Sequence, residues 1–267
     1  MKRPAKILHL TDLHLFADQK TTLVGINPLH TFQKVVTKIL DGLQQNRPDL
    51  VILTGDISQD YSLLSYKMAI KTLQQFSCPI ATTMGNHDNF SSFTSIFNNP
   101  TQIVDHIANI TNWRILLLNS HWAEHVDGKI SKADLIFLQE KLAEDTTKPV
   151  IIFLHHHVLP VASTWLDKIK LQNSEQFLDS ISKYKNVKAV ICGHVHQDTT
   201  NLYNDVTFLS TPSTSWQFAL KSHNFRLDNT MPGYRWIDLH EDGTIKTEVV
   251  RIEHDDTFIP DTTSKGY

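Results

Sequence analysis

Five short apolar runs in this chain each end in a histidine, an aspartate or an asparagine, and that repetition limits the folds open to it. Lys6-Ile7-Leu8-His9-Leu10 runs into Thr11-Asp12-Leu13-His14, and Asp49-Leu50-Val51-Ile52-Leu53 runs into Thr54-Gly55-Asp56. Pro79-Ile80-Ala81-Thr82-Thr83 leads to Met84-Gly85-Asn86-His87-Asp88. Pro149 to Leu154 leads to His155-His156-His157, and Val187 to Cys192 leads to Gly193-His194-Val195-His196. Runs this short and apolar read as strands covered on both faces, the habit of parallel sheets. In open α/β sheets, sites gather at the carboxyl ends of the strands, so the fold and the polar residues select one place.

Helical periodicity fills the intervals. Leu29, Phe32, Val35, Val36, Ile39, Leu40 and Leu43 keep helical spacing until Asn46-Arg47-Pro48, and Tyr61 to Phe76 carries a second such pattern. Ser131-Lys132-Ala133-Asp134 reads as a cap opening a helix to about Glu144, and another helix is expected from Ser174 to about Lys185. Residues 90–112 read as loops with one short helix, and Arg114 to Leu118 as a strand. After His196 the pattern turns β-rich, with strands at Val206 to Leu209, Gly233 to Leu239 and Thr244 to Ile252, and Asp242-Gly243 as a hairpin turn. No linker interrupts the chain, so one domain is expected over residues 1–253, with a loose polar tail over 254–267.

Composition narrows the partners. A formal charge of −3 and the lack of a long basic run argue against a protein that grips nucleic acid by neutralising phosphates. Cys78 and Cys192 form no Cys-x-x-Cys, so neither a thiolate cage nor a disulfide framework is expected, and a reducing cytoplasm fits. His9, Asp12 and His14 break the first apolar run before a secretory segment could form, and no apolar window nears the ~18 residues of a membrane span. What remains is a small-molecule partner. Arg226 and Arg235 read as surface charges or as contacts in a homodimer.

The 15 histidines matter by position. Asp12 and His14 lie two apart, so in extended backbone both point to one side and can share an ion, and His194 and His196 repeat the arrangement. Any one of these residues could close a turn or sit satisfied in a core. The ordered set Asp12, His14, Asp56, Asn86, His155, His194 and His196 instead suits two metal ions that share a carboxylate and act on phosphorus. Mixed imidazole and oxygen donors fit Fe, Mn or Zn better than Ca or Mg.

In that order, Asp-x-His, Gly-Asp, Gly-Asn-His-Asp, a strand-terminal His and Gly-His-x-His resemble the calcineurin-like metallophosphoesterases. The resemblance implies an α/β sandwich, two mixed β-sheets flanked by helices. It implies that Asp12, His14 and His196 hold one metal, that Asn86, His155 and His194 hold the other, and that Asp56 bridges them. A bridging hydroxide would attack phosphorus in line, with His87 binding a phosphoryl oxygen or protonating the leaving alkoxide and Asp88 orienting its ring. His155 is preferred as ligand because it is the first His after the strand; His156 and His157 remain candidates for substrate contact or support.

Accessory stretches are similar to those of bacterial class III 3',5'-cyclic AMP phosphodiesterases. They are Thr164-Trp165-Leu166-Asp167 with Leu171-Gln172-Asn173, Thr211-Pro212-Ser213-Thr214 with Gln217-Phe218, and Phe225-Arg226-Leu227-Asp228 with Pro232-Gly233-Tyr234-Arg235. This likeness implies hydrolysis of cyclic AMP to 5'-AMP. Trp165 then offers a face for a purine, and Asn173 or Gln217 a partner for a base edge; Trp165 and Phe218 equally read as core or lid packing. The alternatives are a phosphodiesterase of broad range, acting on 2',3'-cyclic nucleotides or glycerophosphodiesters, a nuclease, or a non-catalytic scaffold. The complete ligand set weighs against the scaffold and the mild acidity against the nuclease.

Overall fold

The apolar runs pair side by side, as strands without a polar face must. A computed structural model describes residues 3–97, 103–104 and 106–266. In chain order the strands are β1 (Ala5–Leu10), β2 (Leu50–Thr54), β3 (Ile80–Thr83), β4 (Ile103–Val104), β5 (Ile107–Ile110), β6 (Trp113–Leu117) and β7 (Val150–Phe153). They continue with β8 (Val187–Cys192), β9 (Thr199–Tyr203), β10 (Val206–Ser210), β11 (Gln217–Phe218), β12 (Leu227–Asp228), β13 (Gly233–Leu239) and β14 (Ile245–Arg251). The helices are α1 (Pro28–Asp41), α2 (Leu63–Leu73), α3 (Phe90–Phe97), α4 (Lys132–Glu144), α5 (Thr164–Asp167) and α6 (Ser174–Ser182).

One sheet runs β14-β13-β1-β2-β3-β4 and the other β5-β6-β7-β8-β10-β9. β1, β2 and β3 are parallel, as are β6, β7, β8 and β10, whereas β13, β14, β5 and β9 pair antiparallel with their neighbours. Alternate residues of the central strands face two cores, the period of extended backbone. Ile7, Leu50 and Ile52 of the first sheet meet Ile115, Phe153 and Ile191 of the second between the sheets. Leu8, Val51 and Leu53 face outward onto Phe32, Val36 and Tyr66 of α1 and α2. On the far side Leu116, Ile152 and Val190 pack under Leu138 of α4 and Phe177 of α6. The two mixed sheets are therefore flanked by helices, the α/β architecture expected.

Local signals act as read. Ser131 Oγ accepts a hydrogen bond from Asp134 N at 3.0 Å and caps α4. Asp242-Gly243 turns β13 into β14, with Gly243 at φ 84°. The strands β5 and β9 lie where no strand was expected; they sit on the rim of the second sheet and carry polar, exposed residues such as Asn109 and Thr200. After β14 the chain stays attached: Phe258 packs against the cluster containing Leu166, Trp216 and Phe218. All five ligand-bearing strands, β1, β2, β3, β7 and β8, lie side by side in the parallel parts of their sheets, so their carboxyl ends open on one edge.

Candidate active site

The loops after β1 and β2 are laced together. Asp12 N donates to the Gly55 carbonyl at 3.1 Å, His14 N to Asp56 at 2.8 Å and Leu15 N to Ile57 at 2.9 Å. Ser213 Oγ and Ser215 Oγ tie the same loop to the second sheet by donating to the Asp12 and Leu13 carbonyls, at 2.7 and 2.8 Å. This lacing holds an uncommon backbone. Asp12, His14, Asp56, His194 and His196 all sit at φ between 49° and 66°. Side chains other than glycine persist there only where their surroundings over-determine them. Gly85 allows the closest approach: a Cβ on it would lie 2.1 Å from Asp56 Oδ1.

The donor atoms converge in two groups. His14 Nε2 lies 3.2 Å from His196 Nε2, which is 3.3 Å from Asp12 Oδ1, and Asp56 Oδ2 is 3.8 Å from His14 Nε2. His155 Nε2 lies 3.3 Å from Asp56 Oδ2, 3.2 Å from Asn86 Oδ1 and 3.3 Å from His194 Nδ1. Atoms bound about 2.1 Å from one ion stand about 3.0–3.4 Å apart, so both groups have the spacing of coordination shells. Asp56 belongs to both.

The opposite ring nitrogens fix which lone pairs point inward. His155 Nδ1 donates to the Thr54 carbonyl at 2.7 Å, His196 Nδ1 to Trp216 at 2.8 Å, His14 Nδ1 to Gln59 Oε1 at 2.7 Å and His194 Nε2 to Ile169 at 3.1 Å. Such outer partners set the tautomer of a ligating imidazole. Lone pairs aimed at one point from 3.2 Å apart repel unless a cation lies between them, so the donor set fits two metal ions.

Electrostatics agree. Burial lowers His14 to about 3 and His194 well below its ordinary range, leaving both imidazoles neutral. Burial would raise Asp12 and Asp56, yet the facing imidazoles of His196 and His155 hold both below the ordinary carboxylate range. Burial pushes His155 down as well, but the charges of Asp56 and Asp12 lift it to about 9. A ring that gathers a proton against its burial marks a place of negative potential, suited to a cation.

His87, Asp56, Asn86 and His194 form the floor of a cavity of about 310 Å³, walled by Trp165, Phe218 and Phe225. Trp165 meets Phe218 edge-on at 4.9 Å between ring centres, and its Nε1 is buried without a hydrogen-bond partner. Burial lowers His87, whose backbone N–H donates to Asp56 Oδ1 at 2.8 Å. The Asp88 carboxylate accepts from Ile57 N, Ser58 N, Tyr66 Oη and Gly85 N, bonds that brace the turn.

His156, Asn173 and Gln217 do not line the cavity. The two ring nitrogens of His156 lie 2.8 Å from Ser120 Oγ and 3.2 Å from the Val126 carbonyl, and its ring also stands close enough to His155 and His194 to form a donor group with them. Asn173 bonds both N–H and carbonyl of Ile130, and Gln217 Nε2 donates to the Ser213 carbonyl. His157 is buried and stacks on His194.

Sequence reasoning missed a supporting network. His9, without a motif around it, is fully buried between Thr54 Oγ1 and Thr211 Oγ1, at 2.8 and 2.7 Å. Arg235, read as a surface charge or a contact between copies, is buried and donates to Asp198, Ser210 and Thr211. Alternation along β13 was the available signal: Arg235 shares its face with Ile237 and Leu239, which lie between the sheets.

A buried dinuclear-type donor set at the parallel edge of an αββα sandwich defines a class of protein, and the chain belongs to it. It is a member of the calcineurin-like phosphoesterase family, whose model matches residues 5–198. Among its relatives is the 3',5'-cyclic adenosine monophosphate phosphodiesterase CpdA of Haemophilus influenzae, 35% identical over 98% of this chain and 95% of that one. CpdA of Escherichia coli K12 is 36% identical over 98% and 94%. The chain is thus a metallophosphoesterase homologous to 3',5'-cyclic-nucleotide phosphodiesterases. A dimetal phosphatase from Danio rerio, 16% identical, shares the fold with a TM-score of 0.66, covering 94% of this chain and 100% of that one. No described helix is long and apolar enough to cross a membrane.

Proposed function

We propose that this protein hydrolyses 3',5'-cyclic AMP to 5'-AMP with two metal ions. The observation that carries the reading is the convergence of seven donor side chains from five strand ends into two groups, of which Asp56, Asn86 and His194 reach the floor of an aromatic-walled cavity. Asp12, His14 and His196 would hold one cation and Asn86, His155 and His194 the other, with Asp56 placed within reach of both. When bound, the pair supplies a nucleophilic water at neutral pH and charge for the phosphoryl oxygens.

The chain's own groups do the rest. His87, kept neutral by burial, donates its N–H to a phosphoryl oxygen, a role that suits it better than protonating the leaving alkoxide. Trp165 offers an apolar face to the base, while Phe218 and Phe225 exclude water beside it. Relatives named as cyclic AMP phosphodiesterases over nearly the full chain support the choice of substrate.

The test compares turnover of 3',5'-cyclic AMP, 2',3'-cyclic AMP and bis(p-nitrophenyl) phosphate by purified protein supplied with Mn or Fe. The expected preference is for 3',5'-cyclic AMP. Turnover of the artificial diester with cyclic AMP left intact would instead mark a broader phosphodiesterase.

A further inference from the structure

The described chain ends back at the cavity. Asp255 pairs with Lys34 of α1, Phe258 inserts beside Trp216 and Phe218, and Asp261 N donates to the Val24 carbonyl at 2.8 Å. Gly25, at φ +82°, is shaped for this segment, since a Cβ there would lie 2.6 Å from the Ile259 carbonyl oxygen and 3.0 Å from Asp261 N. Asp261 Oδ1 then accepts from Thr263 N at 3.0 Å and from Thr263 Oγ1 at 2.6 Å. Ser264 N donates to the Asp261 carbonyl at 3.0 Å, closing a turn that delivers Lys265 and Gly266 to the cavity wall. Lys265 is the one lysine or arginine among the described residues lining it.

We propose that residues 255–266 form a strap that completes the substrate cavity, with the Lys265 ammonium a specificity-determining contact for anionic phosphodiesters. The inference rests on the phosphodiesterase reading above. Lys265 is exposed, so its attraction acts on capture of an anion and fades with salt. A contact made equally to ground and transition states changes KM and leaves kcat largely alone.

The experiment uses the full metal-loaded chain with 3',5'-cyclic AMP and bis(p-nitrophenyl) phosphate. Lys265→Ala is expected to raise KM for the turned-over anion about three- to fivefold, with kcat changed less than about twofold. Lys265→Arg should restore the KM, and the gap between wild type and Lys265→Ala should close as salt rises from about 0.02 M to about 0.3 M. Gly25→Val, which displaces the strap without altering a lining residue, should raise KM in the same way. An unchanged KM in Lys265→Ala, or a rise that salt does not erase, overturns the inference. If the wild-type chain turns over neither substrate, the phosphodiesterase reading has failed and this inference falls with it.

Discussion

Asn86 and His87 are adjacent in sequence and differ in surroundings, so they should fail differently. Asn86 Oδ1 stands 3.2 Å from His155 Nε2 within a converging donor group, whereas the His87 ring faces the cavity and lies 5.1 Å from the His14 ring, edge to face. Asn86→Ala is expected to lower bound metal from about two ions per chain to about one and to cut turnover by ~100-fold or more. His87→Ala should keep both ions and slow kcat by roughly 100- to 1000-fold. Elemental analysis beside kcat separates them, and equal metal loss in the two would contradict the division of roles. At this scale the chemistry was legible in the sequence, because Asp, His and Asn declare a ligand by type and by position after an apolar run. The left-handed backbone of five of the seven was not, since φ is imposed by the lacing of neighbouring loops and leaves no mark on residue type.

At the scale of strands, β1 reaches both sheets through one side chain. His9 meets Thr54 at the end of β2 and Thr211 just after β10, while Arg235 of β13 lies against the same threonine and anchors Asp198, two residues past His196. Burial, aided by the Arg235 charge, lowers His9 to about 3, below its ordinary 6.5 in an unfolded chain. A depressed histidine favours the native state above the unfolded value and withdraws that support as pH falls toward the folded one. Metal-free wild type should therefore lose about 3 kcal/mol from this group between pH 7 and pH 4. His9→Gln, with no group to titrate, should show a shallower fall in urea midpoint over that range; parallel pH profiles would exclude His9 as the source. The buried strands were legible for the reason the rim strands were not. A central strand must be apolar on both faces, but β9 is held by backbone pairing to β10 and leaves Leu202 and Tyr203 in solvent, so no periodicity announces it.

Across the whole molecule the donors divide between the sheets. Asp12, His14, Asp56 and Asn86 follow strands of one sheet, and His155, His194 and His196 follow strands of the other. Each donor group takes members from both, so cations would clasp the open edge of a sandwich whose opposite faces are already held by Ile7, Phe153 and Ile191. Binding confined to the native state stabilises by mass action, about 3 kcal/mol for the two ions together when free metal stands near 10 times each Kd. For a chain of this size that is a shift of roughly 5–10 °C. Chelation should lower the melting temperature by that amount, and Mn or Zn should restore it. Asp56→Asn, which alters the carboxylate common to both groups, should lose most of the metal-dependent shift, whereas Asn86→Ala should keep about half. A melting temperature indifferent to chelation would mean that the sheets are held by their apolar faces alone and that the donors do not join them.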